Sequence, residues 1–182
     1  MKQTRRMALC AILIALALCL SYMERWIPLN LVVPLPGVKL GLANLVTLMA
    51  LYLLDGKTAV TVLLLRCVLH TPFSGSLTAL AFSLTGGLLA LGVMTLARRT
   101  GVFSIYGVSV LGAAAHNTGQ IGAATVLFGS PYIISYLPFL LLVSVVTGLV
   151  TGSAAAGTFR VLEASGQIPT LHREANYAGA PR

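Results

Sequence analysis

The sequence predicts an all-α integral membrane protein, a bundle of six transmembrane helices with both termini in the cytoplasm. Three observations carry that expectation. Of the 182 residues, 9% are charged and 57% are hydrophobic, with a mean hydropathy of +0.92, whereas a soluble domain carries about 25% charged residues. The apolar residues gather into six runs near the length a bilayer demands, about 20 residues with a range of about 17–25. The basic residues fall between those runs, almost all on one set of alternate connections,.

The first run spans Met7 to Met23, behind the basic head Lys2, Arg5 and Arg6. The second spans Gly37 to Leu54, the third Thr58 to Thr71, and the fourth Ser76 to Ala97. The fifth spans Ile105 to Phe128 and the sixth Tyr132 to Leu162. Pro72 is expected to stop the third, leaving it short enough to need a locally thinned bilayer or cover from its neighbours. Residues 1–162 thus form one membrane domain, and residues 163–182 a polar, flexible cytoplasmic tail.

Alternating sides from the N-terminus places Lys2, Arg5, Arg6, Lys57, Arg98, Arg99, Arg160, Arg173 and Arg182 together, against only Arg25 and Lys39. Because basic loops stay cytoplasmic, this fixes the orientation. The net charge of +8, which in a soluble chain would suggest nucleic acid, is read as a topology signal,. A secretory leader is not expected, since no small-x-small cleavage site follows residue 23 and Leu18 occupies the small position of a lipoprotein box. Cys10, Cys19 and Cys67 lie in apolar runs without metal-ligand spacing and read as reduced spacers.

Small residues mark where membrane helices approach closely. The first run carries Ala8, Ala11 and Ala15, with Cys19 continuing the row. The fifth carries Ala115, Gly119 and Ala123 on one stripe and Gly112 and Ala124 on another; the sixth carries Gly148, Gly152 and Ala156. Each stripe fits packing within the bundle, and the alanine face of the first run also fits docking of another membrane subunit.

Ionisable groups inside a span are costly, about 2.5–3.5 kcal/mol for a central Arg on insertion scales, and tend to mark function. Arg66 and His70 share a face of the third run, four residues apart. His116 and Gln120 do the same on the fifth, with Asn117 adjacent, while Lys39 and Asn44 stand at the outer mouth of the second. Together they can line an outward-facing cavity whose charge favours a carboxylate or phosphate. The alternatives are an interhelical hydrogen-bond set for His116, Asn117 and Gln120, snorkelling for Arg66, and a solvated interfacial position for Lys39. The connection Glu24 to Lys39, stiffened by Pro28, Pro34 and Pro36, is apolar enough to serve as a lid over that cavity or to rest on the bilayer.

Asp55, the only aspartate, sits in a short cytoplasmic turn, and Glu24 is read as lying at an edge. The sequence contains no aspartate-rich diphosphate motif, no Walker A loop and no dinucleotide fingerprint. No acid is spare to complete a nucleophile–His–Asp arrangement. Catalysis is not expected, no cofactor or metal is assigned, and ATP hydrolysis would come from another chain.

Two segments carry a family resemblance. Pro36-Gly37-Val38-Lys39-Leu40-Gly41-Leu42-Ala43-Asn44 and Gly112-Ala113-Ala114-Ala115-His116-Asn117-Thr118-Gly119-Gln120, with Tyr136-Leu137-Pro138 opening the last run, resemble bacterial Gx transporter proteins. These are also labelled heptaprenyl diphosphate synthase component I. The resemblance runs from about Arg6 to Leu162, with His-Asn-x-x-Gln its most specific part. That family is similar to the S-components of energy-coupling factor (ECF) transporters. The resemblance implies a six-helix subunit of the bacterial plasma membrane that captures a micronutrient on the outer side. A membrane coupling subunit and cytoplasmic ATPases would drive it, and it would dock through Ala11 and Ala15. The synthase label does not fit a chain without aspartate motifs and is read as inherited from gene context. The expected substrate is anionic or amphipathic, such as a flavin or a quinone or isoprenoid precursor. A membrane partner in an isoprenoid, quinone or electron-transfer assembly is the alternative, and an autonomous carrier is disfavoured for lack of a membrane acid.

Overall fold

The computed structural model describes residues 3–26, 39–74 and 76–166, and among these every regular element is helical. Six α-helices follow in order: α1 Gln3–Met23, α2 Asn44–Leu53, α3 Gly56–Ser74, α4 Leu77–Thr100, α5 Ile105–Phe128 and α6 Leu137–Ala164. Short 3-10 turns, Glu24–Trp26 and Pro131–Tyr136, follow α1 and lead into α6. Gln3–Met23, Leu77–Thr100 and Pro131–Ala164 are each long and apolar enough to cross a membrane. Their outer faces carry large apolar side chains such as Ile12, Leu96, Leu142 and Val146 in the open, the surface of a membrane protein. The expected lid lies almost wholly outside the described residues, as does most of the expected tail.

The fifth helix coincides with its sequence reading, and serines set the starts of two helices. Ser76 Oγ accepts from Ala79 N–H at the head of α4, and Ser104 Oγ from Gly107 N–H at the head of α5, both at 3.3 Å,. Two other readings need correction. The second apolar run is not a span-length helix: α2 has ten residues, about 15 Å of helix. Ahead of it, residues 39–43 form a tight turn in which Asn44 N–H donates to Gly41 O at 2.8 Å. Gly41 has φ +86°, which a side-chain-bearing residue rarely adopts,. Apolar composition alone cannot separate lipid-facing helix from irregular backbone enclosed by other helices. The third run is longer than expected, because Pro72 lies inside α3 rather than beyond it. Placed in the last turns, it forfeits one backbone bond, and Thr71 Oγ1 donates to Cys67 O at 2.9 Å beside it,. At 19 residues, α3 is about 28 Å long.

α2 is the centre of the bundle. It touches all five other helices, and Val46, Leu48, Met49, Ala50 and Leu51 are buried along it. The main core joins these to Leu13 and Ala17 of α1, Val62 and Leu63 of α3, Met94 of α4 and Phe159 of α6. A second cluster, Phe82, Ile121, Ala124, Ile133 and Leu140, packs α4, α5 and the start of α6. The small residues of α5 and α6 are spent on this packing. A Cβ at Gly119 would lie 2.8 Å from Gly86 Cα, and one at Gly148 would lie 2.5 Å from Val110 Cα. The α1 row behaves otherwise: α1 buries Leu13, Ala17 and Ser21, and leaves Ala8, Ala11, Ala15 and Cys19 exposed on its other side.

Asp55 fastens the α2–α3 turn. Its Oδ1 accepts from Thr58 N–H at 2.6 Å as the N-cap of α3, and its other oxygen pairs with Arg6 of α1. The Thr58 N–H bond, with help from Arg6, holds the Asp55 carboxyl below its usual range near 3.8. A carboxylate depressed by folding stabilises the folded state above its unfolded pKa and loses that effect as pH falls through the folded value. Asp55→Ala is therefore expected to cost about 1 kcal/mol at neutral pH. Unfolding the two proteins in mild detergent should show the gap closing below the ordinary aspartate range; a gap independent of pH would contradict it.

Candidate functional site

The polar residues of the sequence analysis converge where α2 begins. On α5, Gln120 grips the backbone of Lys39 from both sides: Lys39 N–H donates to Gln120 Oε1, and Gln120 Nε2 donates to Lys39 O, each at 2.8 Å. Gln120 Nε2 also reaches Asn117 Oδ1 at 3.2 Å. Asn117 Nδ2 in turn donates to Leu140 O at 3.1 Å and to Ser144 Oγ at 2.8 Å on α6. One chain of hydrogen bonds thus runs from α6 through α5 to Lys39. Asn117 and Gln120 engage their polar atoms within the protein, the interhelical arrangement named above as their alternative. The Lys39 ammonium stands 3.4 Å from His70 Nδ1 on α3.

Glu24 departs from its sequence reading. It is only 6% exposed, and its Oε1 accepts from Leu42 N–H at 2.5 Å, in the turn that leads into α2. Burial raises its carboxyl above the usual value, while the Leu42 and Gly41 N–H groups and the charges of Lys39 and Arg66 pull the other way. The cluster is therefore not purely cationic, as expected, but holds one carboxylate. At the opposite end of α2, Arg98 donates to Leu51 O and lies 4.4 Å over the Tyr52 ring. The positive charge at the foot complements the helix dipole.

Beside this anchored frame stands a set of buried groups whose hydrogen-bonding capacity is unused. Asn44, Arg66 and His116 are 5%, 5% and 3% exposed, and Thr47 is fully enclosed. Both amide atoms of Asn44, Thr47 Oγ1, Arg66 Nε and Nη2, and His116 Nδ1 have no partner. An unsatisfied buried polar group costs about 1–3 kcal/mol, more when charged. Glycines bring these side chains against the backbone. A Cβ at Gly41 would fall 2.8 Å from Asn44 Nδ2 and 2.9 Å from His116 Cδ2; at Gly86 it would fall 2.9 Å from His116 Nδ1. At Gly87 it would fall 3.3 Å from Arg66 Nη2. Four helices thus contribute to one polar locus. Among the described residues, no group of three His, Cys, Asp or Glu side chains could hold a metal ion.

The family model for heptaprenyl diphosphate synthase component I matches residues 13–158, from within α1 to within α6. The chain belongs to that family. No curated protein and no solved structure matches it. The part of this component I protein that matches the family includes every member of the polar locus. Sequence reasoning had missed three of them. Thr47 lies one turn beyond Asn44 on α2, a spacing that could have flagged it. Ser144 is hidden in an apolar run and declares itself only through Asn117. Glu24 could have been suspected from the scarcity of acids, four in the whole chain, with this one bordering a span.

Proposed function

We propose that this component I protein is the substrate-capture subunit of an ECF-type uptake system. In this reading its six helices cross the bacterial plasma membrane with both termini cytoplasmic, and the locus at the head of α2 receives a small anionic or amphipathic micronutrient. A flavin or a quinone or isoprenoid precursor has the required character. The observation that carries the reading is the set of unused buried donors and acceptors on Asn44, Thr47, Arg66 and His116. A bundle built only for packing has no reason to leave a guanidinium so, whereas a polar ligand would satisfy it. Lys39 and His70 belong to the same locus, and Asn117 and Gln120 position Lys39.

The exposed Ala8, Ala11 and Ala15 support a docking face for a membrane coupling subunit, since no helix among the described residues covers them. The family description favours a second reading, in which that face meets another component of a prenyl diphosphate synthase. Gentle purification followed by mass spectrometry of bound small molecules and of co-purifying chains separates the two. A stoichiometric anionic compound together with ATPase and coupling subunits supports capture; a synthase subunit with no small molecule supports the second. In either case Ala11→Leu, which places bulk on a close-approach face, should remove most of the co-purifying membrane partner while leaving the helical content unchanged. Undiminished recovery of the partner would rule this face out.

A further inference from the structure

Two of the unpartnered groups have shapes that specify what they would meet. On Arg66 the nitrogens without a partner are Nε and Nη2, which form one edge of the guanidinium. Their N–H bonds lie parallel in one plane, the fork that receives both oxygens of a carboxylate. On Asn44 both amide atoms are without a partner. That amide offers a donor and an acceptor side by side, whichever way it is turned. Its complement is another amide edge, an N–H beside a C=O, as in a lactam or an imide. Arg66 and Asn44 are each 5% exposed, so neither has bulk water for a partner.

The His116 ring connects the two. A Cβ at Gly41 would meet Asn44 Nδ2 at 2.8 Å and His116 Cδ2 at 2.9 Å. One at Gly86 would meet His116 Nδ1 at 2.9 Å, and one at the next residue, Gly87, would meet Arg66 Nη2 at 3.3 Å. Thr47, one turn along α2 from Asn44, adds an enclosed hydroxyl without a partner,. Arg66 brings one positive charge to its open edge, which suits a carboxylate better than the nearly twofold charge of a phosphate monoester. A prenyl chain would leave every one of these groups unsatisfied.

We propose that the ligand is a small carboxylic acid that also bears a lactam or imide edge, with its carboxylate on Arg66 and its amide edge on Asn44. The inference rests on the capture reading and narrows its substrate class. Isoprenoid precursors, which have no amide edge, are set aside.

Four probes divide the claim. Orotate carries a carboxylate and an imide on one planar ring, benzoate the carboxylate alone, and uracil the imide alone; phenyl phosphate replaces the carboxylate. Each is titrated calorimetrically into the full-length protein in detergent at neutral pH. Orotate should bind at least about tenfold more tightly than benzoate or uracil, because a site built to hydrogen-bond a group rejects the analogue without it. Arg66→Met should weaken orotate at least about tenfold and erase its advantage over uracil. Asn44→Leu should weaken it by about the same factor and erase its advantage over benzoate. Orotate no tighter than benzoate or uracil in the parent protein overturns the proposal. So does an absence of binding by all of the probes, which leaves these groups to internal water. An advantage that survives both substitutions overturns the assignment to Arg66 and Asn44. The parent measurements decide even if a variant folds poorly. Tighter binding of phenyl phosphate than of orotate overturns the carboxylate class. Each of these results leaves the capture role standing if a native small molecule co-purifies. The capture role fails separately if none does and a synthase subunit appears.

Discussion

Arg66→Met protein will fold, reach the membrane and fail to hold the small molecule that co-purifies with the parent chain. Methionine keeps the length of the buried stem, and two of the nitrogens it removes make no hydrogen bond within the protein. Stability should therefore change by no more than about 1 kcal/mol, whereas a ligand anion would lose a charge-assisted partner in an enclosed place. Truncating one side of such a pair costs about 2–5 kcal/mol, or roughly 30-fold to several thousandfold in affinity. His116→Ala should lose binding as well, with a larger drop in stability, because the ring packs against Gly41 and Gly86. Calorimetric titration of the identified ligand into each protein provides the measurement. An affinity within threefold of the parent for both would return Arg66 and His116 to purely architectural roles.

Gly148→Leu will prevent recovery of the folded protein. The added Cβ would sit 2.5 Å from Val110 Cα and 2.9 Å from its nitrogen, so backbone rather than a pliable side chain must yield. Separating α5 from α6 would also break the Asn117–Leu140 bond and the Ser109–Thr151 hydroxyl contact of 2.8 Å. Overpacking commonly costs about 1–3 kcal/mol, and a backbone clash at a helix crossing belongs at or above the top of that range. Gly157→Leu on the same helix is the control, since no atom lies within 4 Å of its would-be Cβ. Size-exclusion profiles in detergent should show aggregation for the first and a parent-like peak for the second. Two parent-like peaks would mean that the crossing is far looser than its geometry.

How much of this was legible in the sequence depends on which physical signal each feature leaves. Helices α4 and α5 announced themselves through apolar length, and the close packing of α5 and α6 through small residues four apart. The polar locus was legible too, because Arg66, His70, His116 and Lys39 are conspicuous against an apolar background. The shortness of α2 was not, since buried irregular backbone and lipid-facing helix draw on the same residues. Nor was the division of labour inside the locus. Asn117 and Gln120 look like ligand contacts in one dimension, yet their amides close onto Ser144 and the Lys39 backbone, which only tertiary structure brings near. Glu24 was misplaced for a related reason: chain order sets it just past α1, while the fold carries it under the head of α2.

The brevity of α2 also bears on how the chain is made. A helix of ten residues, two of them polar, falls well short of the roughly 20 apolar residues that enter a bilayer independently during synthesis. In the six-span reading α2 therefore does not enter alone. In the topology proposed above, the tight turn at Asp55 makes α2 and α3 enter together as a hairpin. The central strut of the bundle is the element least able to insert by itself.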